Sequence, residues 1–240
     1  MRLVELSRSE HGALRIRPDL AEASAATEHL IPLVTTEYRK AATQYPIVFA
    51  KHSETGKFSS YVLNGLGLNE NLFWTGTELD VTYVPMNVRR QPFYVGSNNA
   101  LCIDLDSPCV DTSGTKSIVE TDGSDSAYLK EMLSVLRDLM TGREATEAFI
   151  ANLLSLDLLA PILLDIRLDD GTPLRLEGLY GLDEEHLRQL EERSFLQLRQ
   201  TGHLDLIYAV LMASGQIFRL IRLKNQRIAL RRSWHTNSAG

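Results

Sequence analysis

Two aspartates and two arginines carry most of the chemistry this sequence offers. Asp104-Leu105-Asp106-Ser107 ends a β-like run and precedes a polar stretch, where functional groups commonly lie. If the strand continues, Asp104 and Asp106 share a face. Two carboxylates so placed could hold a hard cation such as Mg²⁺ or Ca²⁺ through oxygen ligands. They could also repel, so that one keeps a proton and serves in acid–base work. The competing reading is a turn capped by side-chain to backbone bonds from Asp104, Asp106 and Ser107. Arg89-Arg90 lies between Pro85 and Pro92, with Tyr83, Phe93 and Tyr94 close in sequence. Arginine beside aromatic rings suits an anion pocket, for a peptide terminus or a cofactor phosphate. The alternative is a pair that bridges its loop to internal carboxylates such as Asp104. Both readings predict Arg89 or Arg90 close to Asp104 or Asp106.

Other motifs carry less. His52-Ser53-Glu54 has the look of a His-x-acid iron motif, with His186 or His203 as the distal ligand, but it lies in an expected hairpin turn. Cys102 and Cys109 are the only cysteines, with no Cys or His partner at zinc spacing, and they read as reduced thiols. There is no G-x-S-x-G and no glycine-rich phosphate loop; Gly65-Leu66-Gly67 is explained by turn geometry. No metal site and no cofactor can be assigned. Near the end, Arg219, Arg222, Lys224, Arg227, Arg231 and Arg232 make a helix terminus basic. This suits the helix dipole or offers a contact face for an acidic partner, with Trp234 exposed or docked beside it. His11, His29 and His235 read as solvated.

The elements that must position these groups belong to a chain of 240 residues, 44% hydrophobic and 23% charged. That is ordinary globular composition, enough for one domain or two intimate lobes. We expect a single unit over 1–240, with a β-rich lobe at 30–110 and a mostly helical one at 124–232. A net charge of −6 with scattered cations argues against broad nucleic-acid binding. Residues 1–10 lack the apolar run of a signal peptide, and no stretch reaches the length of continuous apolar residues that a membrane span requires. The expectation is a cytoplasmic protein.

The fold class expected is α+β. Residues 3–6 and 13–17 read as short strands, and 21–27 as a loop. Thr35 to Ala42 reads as a helix capped by Thr35 or Thr36. Strands at 47–50 and 58–63 form a hairpin around Gly56. Asn71–Trp74 and Val81–Val84 read as further strands, Pro85 opens a helical turn, and Phe93–Val95 and Ala100–Leu105 are strands again. Residues 111–123 form a loop or a lid. Apolar residues recur at helical spacing from Tyr128 to Met140; Thr141-Gly142 ends that helix and Glu144–Leu156 begins another. Asp169-Asp170-Gly171 turns a second hairpin between 162–168 and 174–180. Asp183 caps a helix through Leu190, a short one runs from Ser194 or Phe195 to Gly202, and the longest spans 204–231. Residues 233–240 read as a frayed tail.

Within this frame the chain resembles the SapC family of bacterial proteins over roughly residues 30–230. The resemblance rests on Tyr45-Pro46-Ile47-Val48-Phe49, Gly65-Leu66, Glu70-Asn71-Leu72-Phe73, Tyr83-Val84-Pro85, Arg89-Arg90-Gln91-Pro92-Phe93 and Cys102-Ile103-Asp104-Leu105-Asp106-Ser107. Asp170-Gly171, Leu176-Glu177-Gly178-Leu179-Tyr180 and Gly215-Gln216-Ile217 extend it. The family takes its name from a surface-layer protein and is distinct from a membrane-spanning peptide-transport permease of similar name. Two functions follow as expectations. One is a non-catalytic accessory or binding protein that engages a peptide or protein partner through the Tyr83–Ser107 surface. The other is an enzyme, metal-assisted, built on Asp104, Asp106, Arg89 and Arg90.

Overall fold

A computed structural model describes residues 1–237, with side chains described to Ser233. Strand β1 (Leu3–Glu5) is followed by helix α1 (Arg8–His11), whose first turn is capped by the Ser7 hydroxyl, and by strand β2 (Arg15–Ile16). Two 3-10 turns follow, Pro18–Leu20 and Glu22–Ala25, the second within the expected loop. Strand β3 (Leu30–Pro32) leads into a 3-10 turn at Thr35–Glu37 and helix α2 (Tyr38–Ala41). Strands β4 (Ile47–Lys51) and β5 (Phe58–Leu63) make the first hairpin, and Gly56 in its turn has φ of 66°, a conformation glycine adopts without strain. Helix α3 (Met86–Arg89) precedes strands β6 (Phe93–Val95) and β7 (Leu101–Asp104), and β8 (Lys116–Ser117) lies in the polar loop. Helix α4 (Ala127–Ser155) begins the second half. Strands β9 (Leu159–Pro161), β10 (Leu164–Arg167), β11 (Pro173–Leu176) and β12 (Leu179–Leu182) follow. Helices α5 (Glu184–Arg188), α6 (Glu192–Gln200), α7 (His203–Ser214) and α8 (Ile217–Asn237) complete an α+β fold.

The main sheet has the order β3-β5-β4-β12-β9, antiparallel throughout. Its central strand β4 buries Ile47, Val48 and Phe49 in succession, and Phe49 meets Phe149 of α4 across the core. A smaller antiparallel sheet, β1-β7-β6, carries Asp104 at the end of its central strand. The second hairpin, β10-β11, stands apart as a two-stranded unit turned at Gly171, whose φ is 86°.

Buried apolar side chains form two cores. The first gathers residues from the main sheet, the C-terminal half of α4 (Phe149, Ile150, Leu153) and α7. The second joins the small sheet to the N-terminal half of α4 (Leu129, Met132, Val135, Leu136). Helix α4 therefore serves both.

That helix corrects one expectation. Thr141-Gly142 does not end it; a single 29-residue helix runs through. Gly142 is instead a contact point. A Cβ there would sit 2.7 Å from Cγ2 of Val34 and 3.2 Å from Oγ1 of Thr36, so glycine lets the 35–37 turn lie against the helix. Thr35 is drawn into the same contact, its amide donating to Oγ1 of Thr146 at 2.9 Å. The expected threonine cap is accordingly not formed, and Glu37 reaches back to the Val34 amide instead.

Five further expectations change. Asn71–Trp74 is not a strand, because the Asn71 side chain accepts from the Phe73 amide and donates to the Ala25 carbonyl, folding a local turn. Val81–Val84 is not a strand either: the Val81 amide donates to the Leu79 carbonyl, and side chains take the Thr82 amide and the Tyr83 carbonyl. The short helix before Gly202 starts earlier, at Glu192. The expected helix over 204–231 is interrupted by a turn at Gly215-Gln216, giving α7 and α8. Helix α8 then continues into the expected tail as far as Asn237; residues 238–240 and the side chains of Trp234 and His235 lie outside the described residues.

Candidate functional site

The segment 81–86 is held by three buried side chains from the neighbourhood of α2. Gln44 accepts from the Thr82 amide at 2.8 Å through Oε1 and donates to the Tyr83 carbonyl at 2.8 Å through Nε2. The Tyr45 hydroxyl donates to the same carbonyl at 2.9 Å. Glu37, only 1% exposed, accepts three bonds: from the Met86 amide (2.7 Å) and the Tyr83 hydroxyl (2.8 Å) on Oε1, and from the Val34 amide (3.2 Å) on Oε2. Burial pushes the Glu37 carboxyl above its ordinary value. The Met86 and Val34 amides, the Tyr83 hydroxyl and the charge of Arg89 pull the other way without reversing it. Burial, then the adjacent Glu37, raises the Tyr83 phenol.

The braced segment forms one wall of an open cleft of about 480 Å³. The 18–22 turn and the exposed edge of α4 form the others, with Val84, Val88 and Met132 as apolar lining. Charged groups of both signs reach it. Arg89 faces Glu131 of α4 at 3.7 Å, both partly exposed, and Lys116 and Glu22 add one cation and one carboxylate. Glu22 also accepts from the Leu79 amide at 2.7 Å, which fixes one side of the opening. Tyr83 and Tyr128 contribute aromatic surface, and the Lys40 ammonium stands 5.6 Å from the Tyr83 ring centre.

The residues singled out in the sequence separate into two places. Tyr83 and Arg89 line the cleft. Arg90, its neighbour, does not. Its guanidinium donates to Asn87 Oδ1 at 3.0 Å and to the Phe93 carbonyl at 2.9 Å, and it stacks 4.1 Å from the Tyr94 ring centre. Burial lowers its pKa, and it is a structural clamp across the α3–β6 turn. Asp104, Asp106 and Ser107 form a turn at the end of β7. The buried Asp104 accepts from the Arg2 amide at 2.8 Å and the Asp106 amide at 3.2 Å, both on Oδ1. Asp106 is half-exposed and faces the Met1 amino group at 3.5 Å and Arg2 at 3.7 Å. The Ser107 hydroxyl accepts from the Cys109 amide at 3.2 Å.

The expected meeting of arginine and aspartate is therefore corrected: no ion pair within 4 Å joins Arg89 or Arg90 to Asp104 or Asp106 among the described residues. The strand stops at Asp104, so Asp106 turns into solvent rather than sharing a face with it. Among the described residues no group of three His, Cys, Asp or Glu side chains could hold a metal ion. His52 accepts from the Glu54 amide within its own turn, while His203 contacts Asn152 and Phe149. Cys102 and Cys109 are free and buried, and burial pushes the Cys109 thiol up, away from the reactive thiolate.

Glu37, Glu22, Lys116, Tyr128 and Glu131 were not singled out by sequence pattern. They come from four separate segments, and no spacing marks their meeting. Glu131 reads only as a polar position on an amphipathic helix.

An α+β chain built on two cores, with an open cleft of mixed charge, is the class that fold and site define. The chain belongs to the SapC family, whose model matches residues 6–220. No curated protein and no solved structure matches it.

Proposed function

We propose that this chain is a non-catalytic accessory or binding protein of the cytoplasm, and that it takes a peptide segment of a partner protein into the Tyr83–Arg89 cleft. The observation that carries this reading is the Arg89–Glu131 pair at the cleft edge. At 3.7 Å, with side chains 40% and 61% exposed, it is a weak surface ion pair. Its two charges can be exchanged for those of a peptide at little cost. The apolar lining beneath and the two tyrosines then supply contact area, as in most small-ligand and peptide sites. An enzyme built on Asp104 and Asp106 is the weaker reading, because the Asp104 oxygen already accepts two amides and Asp106 faces the N-terminal amine and Arg2.

The test places a photo-crosslinking amino acid at the partly exposed Val84 and identifies the captured peptides by mass spectrometry. Synthetic versions are then titrated by fluorescence anisotropy against the wild type and Arg89→Ala. Loss of a charge-assisted contact predicts roughly tenfold weaker binding. Unchanged affinity in a folded Arg89→Ala protein would remove the cleft from the function.

A further inference from the structure

Helix α8 carries six basic residues, from Arg219 to Arg232, and no acid. The whole chain has 25 basic and 31 acidic side chains. The chain outside α8 thus has 19 against 31, a formal charge of −12. The cations of α8 divide into two sets. Lys224 pairs with Glu70 at 2.6 Å, Arg227 donates to the Trp74 carbonyl, and Arg219 donates to the Asp80 carbonyl and lies 5.0 Å from the Phe73 ring centre. These three fasten the helix to the body. Arg222 and Arg231 are exposed, and among the described residues no ion pair within 4 Å engages either.

Large apolar side chains stand out along the same α7–α8 rod. Tyr208, Met212, Phe218 and Leu230 are 48%, 78%, 70% and 60% exposed. At about 1.5 Å per residue they extend over roughly 30 Å. By length and composition the stretch His203–Ser233 could cross a membrane, yet the cations fastened to Glu70, Trp74 and Asp80 hold it against the protein. Asp205 pairs with Arg39 at 2.9 Å, Asp170 feels Arg232, and Asp169, at the β10-β11 turn, lines a shallow groove with Phe218 and Arg222.

We propose that the outer face of α7–α8 docks on an anionic lipid bilayer surface, lying in its plane. Tyr208, Met212, Phe218 and Leu230 enter the interface, and Arg222, in the row between Phe218 and Leu230, meets lipid phosphates. A helical protein partner would need apolar residues in an i, i+3, i+4, i+7 row. Here they are spaced apart with arginines between them, in the row Phe218, Arg222, Gln226, Leu230. A bilayer interface accepts such separate apolar points, and arginine stems lie along it while their heads reach the phosphates. The charge division orients the molecule: a body at −12 turns away from the anionic surface and α8 toward it.

The test is cosedimentation of the full chain with phosphatidylcholine vesicles and with vesicles that also contain phosphatidylglycerol. We expect binding to the anionic vesicles only, weakening as salt is raised. A phosphate-facing cation contributes about fivefold in partitioning, so Arg222→Ala lowers it about fivefold. Phe218→Ser lowers binding as well, while Leu68→Ser, at an exposed leucine elsewhere, does not. Thermal melts by circular dichroism establish that each variant is folded. Equal binding to both vesicles, no binding, or binding unmoved by these variants would overturn the proposal. So would a concentration-dependent dimer abolished by Phe218→Ser, which would assign the face to a second copy of this chain.

Discussion

Replacing Glu37 by glutamine tests how the cleft wall is held. The carboxylate is 1% exposed and accepts three donors on two oxygens. Glutamine keeps one acceptor. If its oxygen stays with the Met86 amide and the Tyr83 hydroxyl, its NH₂ faces the Val34 amide, donor against donor. A buried donor left unpaired costs about 1–3 kcal/mol. In a chain of this size each kcal/mol lowers Tm by roughly 2–4 °C.

The pH dependence sharpens this prediction. The folded carboxyl sits above its ordinary value of 4.5, chiefly because it is buried. The folded state therefore binds this proton more tightly than the unfolded chain does. The stability it contributes is full below the ordinary carboxylate value and is lost as pH rises through the raised one, at no more than about 1.4 kcal/mol per pH unit. Glutamine does not titrate, so the stability gap between wild type and Glu37→Gln narrows as pH rises through that window. Urea unfolding midpoints across a pH series read the gap directly. A gap that widens with pH would show that the three donors outweigh burial, and the reasoning about Glu37 would be refuted.

Two further substitutions separate structure from chemistry. Gly142→Ala gains about 1 kcal/mol of helix propensity but forces a Cβ to within 2.7 Å of Val34 Cγ2, an overpacking cost of about 1–3 kcal/mol; a net loss of about 1 kcal/mol and a Tm lower by about 2–4 °C are expected by calorimetry. Asp104→Asn keeps the Oδ1 acceptor for the Arg2 and Asp106 amides and should change stability by less than about 1 kcal/mol, whereas Asp104→Ala removes both bonds and costs about 1–3 kcal/mol. An Asp104→Asn protein as unstable as Asp104→Ala in chemical denaturation would mean that the negative charge, not the turn, is what the site requires.

Local signals were legible in the sequence where local chemistry decides the outcome. The β4–β5 hairpin follows from a buried apolar run returning at Gly56, the β10–β11 hairpin from alternating apolar residues around Gly171, and Asp183 caps α5 through the His186 amide as its type predicts. Failures came where a distant contact overrides local preference. Gly142 has the composition of a helix end, but Val34, 108 positions away in sequence, makes it a packing point. Val81–Val84 has the composition of a strand, yet Gln44 and Tyr45 take the Thr82 amide and the Tyr83 carbonyl that a neighbouring strand would pair. The candidate site was legible only in part for the same reason: Tyr83 and Arg89 were visible as an aromatic and a cation near proline, while their partners Glu37 and Glu131 are ordinary helix-forming residues until the fold brings them together.

The position of the cleft follows from the two cores. Val88 belongs to the first and Met132 to the second, and both line it. At a seam, packing leaves space that neither core fills, and something must keep the walls in register. Glu37 does this. It sits beside Tyr38 of the first core and receives the amides of Val34 and Met86, both buried in the second, while its third bond holds the Tyr83 ring that forms the cleft wall. One buried carboxylate thus couples the relative placement of the cores to the shape of the opening. A substitution that loosens the seam without touching the cleft, such as Gly142→Ala at the Val34 contact, should then weaken peptide capture at Val84 as well as lower Tm. Capture unchanged at a temperature where the variant remains folded would show that the cleft keeps its shape independently of the seam.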